Sequence, residues 1–258
     1  MSGAAAPRPR LLALSGVDKV FAGGVTALRG MNLEVREGDF ISLLGPSGCG
    51  KSTALRLIAD LAHPTAGTIR WAGERGAGDL GVVFQEPTLM PWATVAENAY
   101  LPFRLRGVPL SAVRGDIEAT LRLVGLENFA DAYPRELSGG MKMRVSIARA
   151  LTTRPKLILM DEPFAALDEI TRFRLNNDLL AMKAEFGCTI IFVTHSVFES
   201  VFLSDRIVVM AARPGRVARE LEVDEPYPRD ESFRTSARYA ALCREASEAL
   251  QHAMGEAA

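Results

Sequence analysis

Phe40-Ile41-Ser42-Leu43-Leu44-Gly45-Pro46-Ser47-Gly48-Cys49-Gly50-Lys51-Ser52 runs from an apolar, strand-like segment into a Gly-x-x-x-x-Gly-Lys-Ser loop. Thr53 to Leu61 continues it with Ala54, Leu55, Leu57, Ile58 and Leu61 at helical spacing. Strand, glycine turn and helix in that order are the context in which such a loop cradles phosphates. Glycines 45, 48 and 50 let the backbone curl with its N–H groups inward, the helix N-terminus adds partial positive charge, and Lys51 reaches the outer phosphates. Ser52 is placed to hold a magnesium ion. A merely flexible glycine turn is the competing reading, and the flanking strand and helix disfavour it. The stretch implies a bound nucleoside triphosphate.

Outward from the loop, Ile41 to Leu44, Leu157 to Met160, Thr189 to Val193 and Ile207 to Met210 are nearly continuous apolar runs, with Leu80 to Phe84 a further candidate. Strands covered by helices on both faces read this way, which predicts an α/β fold with a parallel central sheet. Between Leu11 and Val35, β-prone pieces at Val17 to Phe21 and Asn32 to Val35 alternate with Gly23-Gly24 and Gly30, as in antiparallel strands joined by turns; Gly67 to Trp71 resembles an edge strand. Residues 92–150 hold three helix-compatible segments, Val95 to Leu101, Leu110 to Val124 and Met141 to Leu151, and read as a helical subdomain inserted into the core. Residues 1–10, rich in Ala, Pro and Arg without an apolar stretch, read as a disordered lead-in; 11–217 read as the nucleotide-binding domain, and 218–258 as an accessory tail, helical from about Glu231 to Met254.

Thirty basic against thirty-one acidic residues give no field that would gather nucleic acid, so none is expected as a partner. Three widely spaced cysteines fit a reducing compartment, and Cys49 reads as a small loop residue, not a nucleophile. No run approaches the 18 or more apolar residues needed to cross a bilayer, and a cytoplasmic location is expected.

Leu157-Ile158-Leu159-Met160-Asp161-Glu162-Pro163 ends a buried strand with two consecutive carboxylates. Side chains alternate across a strand, so the two take different tasks: Asp161 can reach the magnesium shell, and Glu162 can orient and deprotonate the attacking water. An ordinary solvated turn carrying two acids is the alternative for the pair alone. Leu137-Ser138-Gly139-Gly140-Met141 also precedes a helix, giving either a second anion-binding N-terminus or simple capping by Ser138.

Taken in order, these motifs resemble the nucleotide-binding subunit of an ATP-binding-cassette (ABC) transporter over roughly residues 11–215. The likeness implies a RecA-like P-loop NTPase core, an antiparallel β subdomain and an inserted helical subdomain. It makes Gly45 to Ser52, with Thr53, the Walker A loop, Gln85 the glutamine loop, Leu137 to Met141 the family signature and Leu157 to Glu162 the Walker B strand. Ala166-Leu167-Asp168 resembles the D-loop and His195 the switch histidine. The implied assignments are catalytic roles for Glu162, His195 and Gln85, magnesium at Ser52, Gln85 and Asp161, and ATP held by the loop. The family also arranges two copies head to tail, so that Ser138, Gly139 and Gly140 of one close over the γ-phosphate bound at Lys51 of the other. Phe21 sits where the family stacks an aromatic ring on adenine, although a core phenylalanine would read identically. Met141, Ala166, Phe21 and Asp60 depart from the usual glutamine, serine, tyrosine and glycine.

Gln85 to Trp92 and Asp161 to Asp168 together resemble the import branch that handles nitrate, sulfonates and taurine. That likeness implies a transmembrane permease, an extracytoplasmic solute-binding protein and a peripheral place on the cytoplasmic face of the inner membrane. Leu89, Met90 and Trp92 are either docking residues for the permease or core of the helical lobe. A soluble cassette ATPase of DNA repair or chromosome maintenance is the rival function, weakened by the absence of long heptad arrays and Cys-x-x-Cys pairs.

Overall fold

The computed structural model describes residues 8–255. Along the chain, β1 (Arg10–Val20), β2 (Thr26–Arg36) and β3 (Phe40–Leu44) precede α1 (Lys51–Ile58), β4 (Ala66–Trp71) and β5 (Leu80–Val83). Three helices follow, α2 (Val95–Leu105), α3 (Leu110–Leu123) and α4 (Gly139–Leu151). Then come β6 (Leu157–Asp161), α5 (Glu169–Phe186), β7 (Thr189–Thr194), α6 (Val197–Leu203), β8 (Arg206–Ala211), β9 (Arg216–Glu222), α7 (Glu231–Arg234) and α8 (Ala237–Gly255).

The core sheet has the order β5-β6-β7-β3-β8-β9, parallel except for β9, which runs against β8. β3 and β7 are buried along their whole length, as is β6 up to Asp161, which is why they read as unbroken apolar runs. A second, antiparallel sheet has the order β2-β1-β4, with β4 at its edge. The expected α/β architecture is therefore present, with its parallel core and antiparallel sheet. One apolar cluster lies between the core sheet and the antiparallel sheet with α1; the other joins the sheet's opposite face to α2–α6 and α8.

Several boundaries differ from the sequence reading. The short pieces at 17–21 and 32–35 belong to two 11-residue strands, apart from Phe21, which lies just past β1. Gly30, expected in a turn, lies inside β2 at a bulge, where the pairs Val17 with Met31 and Lys19 with Leu28 differ by one residue and φ is 59°. Of the lead-in expected over 1–10, Arg10 instead opens β1 opposite Arg36, and the Arg8 guanidinium pairs with buried Asp39 at 2.9 Å; residues 1–7 lie outside the described residues. Backbone pairing, blind to side-chain charge, extends the strand past the composition change.

The break placed after residue 217 falls within β9, a strand of the core sheet. Ala218 to Glu220 and Glu222 are exposed, while Leu221 and, just past the strand, Val223 are buried, so a sparsely apolar edge strand looked like a polar tail. The single helix expected to start near Glu231 is interrupted at Thr235, and the Ser236 hydroxyl accepts the Tyr239 N–H to start α8. Arg229, 4% exposed, donates to the carbonyls of Val201, Phe202 and Ser204 at the end of α6 and fastens the following segment there.

Candidate nucleotide site

Parallel strands deliver their C-terminal ends to one edge of the sheet, where ligand loops of α/β folds gather. There β3 ends at the phosphate loop, Gln85 follows β5, Asp161 and Glu162 close β6, His195 follows β7 and Arg213 follows β8. A cleft of about 670 Å³ opens between these loops and the β1–β2 turn, lined among others by Phe21, Val25, Lys51, Gln85, Glu162 and Arg213.

Gly50 caps α1 with φ 90°, and a Cβ there would lie 2.7 Å from the Ala27 carbonyl oxygen, so only glycine lets the loop press onto β2. Gly45 is equally confined, its missing Cβ 2.8 Å from the Met210 oxygen. Lys51 Nζ donates to the carbonyls of Gly45 at 2.7 Å and Pro46 at 3.0 Å and stands 3.7 Å from Glu162 Oε1. The ammonium is thus kept over the mouth of the loop by oxygens that a phosphate would replace. Ser47, Gly48, Ser52 and Thr53 also line the cleft. Gly45, Pro46 and Cys49 are not among its lining residues. Cys49 is fully buried, and burial pushes its thiol above the ordinary range, which makes it a poor nucleophile.

Ser52 Oγ donates to Asp161 Oδ1 at 2.8 Å. Burial, first, raises the Asp161 carboxyl; the Ser52 hydrogen bond opposes this and the charge of Glu162 adds to it. A half-buried carboxylate paired with a hydroxyl fits a magnesium ion, which takes hard oxygens from one or two side chains and the rest from water and phosphate. Among the described residues no cluster of three or more acidic, His or Cys side chains could hold a metal unaided, so the phosphates themselves would complete such a shell. Glu162 lies just past the strand with φ 46°, a left-handed conformation unusual outside glycine, fixed by its N–H donating to the Val193 carbonyl at 3.0 Å. The Glu162 carboxylate stands 3.3 Å from His195 Nδ1, and His195 itself is not among the cleft's lining residues.

Phe21 is 44% exposed and faces the cleft, which excludes the core alternative. Sequence reasoning missed Val25, Thr26, Ala27 and Arg213 as cleft residues. The last had a signal: Arg213-Pro214-Gly215 follows a parallel strand at its C-terminal end. Gly215 also exchanges backbone hydrogen bonds with Ala27 and Arg29, tying the antiparallel sheet to the loop edge. Ser138, Gly139 and Gly140 do not line the cleft; Ser138 Oγ caps α4 by accepting the Met141 N–H at 3.2 Å, with Ser138 and Gly139 exposed.

Residues 28–165 match the ABC transporter family, and a 209-residue stretch is 51% identical to an uncharacterized ABC transporter ATP-binding protein of Methanocaldococcus jannaschii, covering 80% of this chain and 78% of that one. The chain belongs to the ABC transporter family. It is an ATP-binding cassette and an ATPase. It is 43% identical to the nitrate import ATP-binding protein NrtD of Synechocystis over 86% of its own length and 88% of NrtD. Its 45% identity to the bicarbonate transport ATP-binding protein CmpC of the same genus spans 84% of the cassette but 34% of that longer protein. Among solved structures, a dimeric cassette in a post-hydrolysis state with ADP and Pi superposes with TM-score 0.72 and 33% identity, over 84% of this chain and all of that one. Clostridium perfringens cbiO1, part of the cbiONQ transporter complex, gives TM-score 0.77 and 27% identity, over 93% and 99%. These relatives are transport proteins, and the DNA-maintenance alternative gains nothing from them.

Proposed function

We propose that this cassette powers import of a small solute of the nitrate, sulfonate or taurine kind through a separate membrane permease, working as a head-to-tail pair at the cytoplasmic face of the inner membrane. The observation that carries the engine is the meeting of Lys51, Ser52, Asp161 and Glu162 around one cleft, with His195 against Glu162 just outside its lining, while the Ser138–Gly140 turn, a second exposed helix N-terminus, stands apart from it. A surplus anion site on the surface is what a facing copy would use. Likeness to NrtD, named for nitrate import, and to CmpC, named for bicarbonate transport, supports the importer branch; in this reading an extracytoplasmic binding protein delivers the solute.

In this reading the loop N–H groups and Lys51 hold the outer phosphates, and Ser52 with Asp161 would hold magnesium, which would neutralise developing charge. Gln85 lines the cleft, where it would reach the magnesium shell and the attacking water. Glu162 accepts a proton from that water. His195, against Glu162, orients that carboxylate and reaches the γ-phosphate. Phe21 stacks on adenine.

The permease would dock on the helical lobe's open side. Trp92 is 74% exposed, whereas Leu89 packs partly into the lobe core and Met90 is half-buried, its backbone bonded to Asn98. A groove of about 450 Å³ between β5 and α2 exposes Phe84 and Leu105. Purification with the native membrane partners, followed by identification of the retained solute, tests the assignment. A nitrate-, sulfonate- or taurine-like solute supports it; an unrelated solute, or no permease, overturns it. Trp92→Asp and Leu105→Asp should lose the permease while keeping ATP affinity.

A further inference from the structure

A polar chain outside the cleft joins the segment after Glu162 to the loop that carries His195. Arg172, in the first turn of α5, donates Nη2 to the Leu167 carbonyl at 3.1 Å and places Nε 3.6 Å from Glu199 Oε1. The other Glu199 oxygen accepts from Thr194 Oγ1 at 2.5 Å, and Thr194 Oγ1 accepts from the Ser196 N–H at 3.0 Å. Ser196 Oγ completes the loop by accepting the Glu199 N–H at 3.3 Å. Glu199 therefore braces the residues on both sides of His195.

The ion pair at the centre is poorly placed for stability. Glu199 is 6% exposed, and its Oε1 and the Nε of Arg172 are buried atoms that make no hydrogen bond and stand 3.6 Å apart. A buried carboxylate facing a partly exposed guanidinium just beyond hydrogen-bond length costs desolvation without full repayment. Burial, first, accordingly raises the Glu199 carboxyl, against the Thr194 hydrogen bond and the charge of Arg172. Such a loosely engaged pair has room to tighten or part when either end moves. The C-terminal segment closes over it: Tyr239 donates its hydroxyl to the Phe198 carbonyl at 3.0 Å, and Arg234 bonds Asn177 Oδ1 at 3.0 Å.

We propose that Arg172 and Glu199 are positioning residues that couple the Ala166-Leu167-Asp168 segment to His195, and through it to Glu162. The inference rests on the roles given to His195 and Glu162 above. Displacement of Leu167 draws the Arg172 guanidinium with its carbonyl, and the change in pull on Glu199 passes through Thr194 to the backbone that aims the His195 ring. The state of one segment thus sets the geometry of hydrolysis without any contact to nucleotide.

Steady-state ATPase assays on the full chain test this. Glu199→Gln keeps the shape and removes the charge, so kcat is expected to fall roughly ten- to a hundredfold with KM for ATP little changed, as misaimed catalytic groups behave. Arg172→Lys, which retains charge but loses the fork that spans Leu167 and Glu199, should fall alike. In a His195→Ala background Glu199→Gln should add less than about a twofold loss, because residues acting as one unit are not additive. Wild-type kcat in either variant, or the same fold-loss with and without His195, overturns the coupling. Should Glu199→Gln not fold, Arg172→Lys is read in both backgrounds by the same criteria. Glu162→Gln run alongside separates the two readings: full turnover there overturns the site assignment, whereas loss there with full turnover in Glu199→Gln overturns the coupling alone.

Discussion

The Ser52 hydroxyl reaches the Asp161 carboxylate at 2.8 Å, although 109 positions separate them in the chain. β3 and β6 flank β7 in the sheet, so the first helix after one strand and the last residue of the other end side by side. Burial raises the Asp161 carboxyl, so the folded chain holds that proton more tightly than the unfolded chain does. Stability is therefore lost as pH rises from the ordinary carboxyl range through the raised value. Asp161→Asn should stabilise the nucleotide-free protein near pH 7 and lose that advantage as pH falls into the ordinary carboxyl range. Urea midpoints across pH check this; an advantage that grows toward acid contradicts it. The same variant should lose magnesium-dependent ATP hydrolysis.

Glu162 is held at φ 46° between Lys51 and His195, a strained placement suited to a catalytic base. Glu162→Gln should keep ATP binding, measured by calorimetry, and reduce turnover by about 10² to 10⁴, the range for loss of a general base. Unchanged hydrolysis would assign proton abstraction to another group.

Phe21 projects into the cleft from the β1–β2 turn, with Arg213 on the same lining. Phe21→Ala should weaken ATP affinity by about 1–3 kcal/mol, the worth of one base stacked on one ring. Affinity for inorganic triphosphate should stay the same, because only the base is unstacked. Equal losses for both ligands would place Phe21 elsewhere than on adenine.

Asp60 occupies a left-handed conformation with φ 62° two residues past α1, and its ion pairs to His63 and Arg75 are long at 3.8 Å and exposed. The family's usual glycine meets that backbone demand without a Cβ clash. Asp60→Gly should raise stability by about 0.5 kcal/mol, the strain relieved less the added chain entropy. That corresponds to a Tm rise of roughly 1–2 °C in a domain of this size. A fall in Tm would mean that the weak ion pairs outweigh the backbone.

The parts legible in advance were those whose signal is local. A buried strand reads as an apolar run, and the phosphate loop carries its glycines, lysine and serine within eight residues. The β9 strand was misread because it is sparsely apolar, and Gly30 because a bulge and a turn use glycine alike. Ser138 admitted two readings, and a single chain displays the cap that any such residue makes.

Sequence by itself determined the family and the phosphate loop, since chemistry that depends on neighbouring residues is written in consecutive letters. Tertiary structure alone decided that Phe21 faces the cleft, that Arg213 joins it, and that Arg172 meets Glu199 behind His195. Those relations depend on which strands pair and how the helices cover them. They join residues brought together only by burial of distant apolar faces, a global outcome that no local stretch encodes.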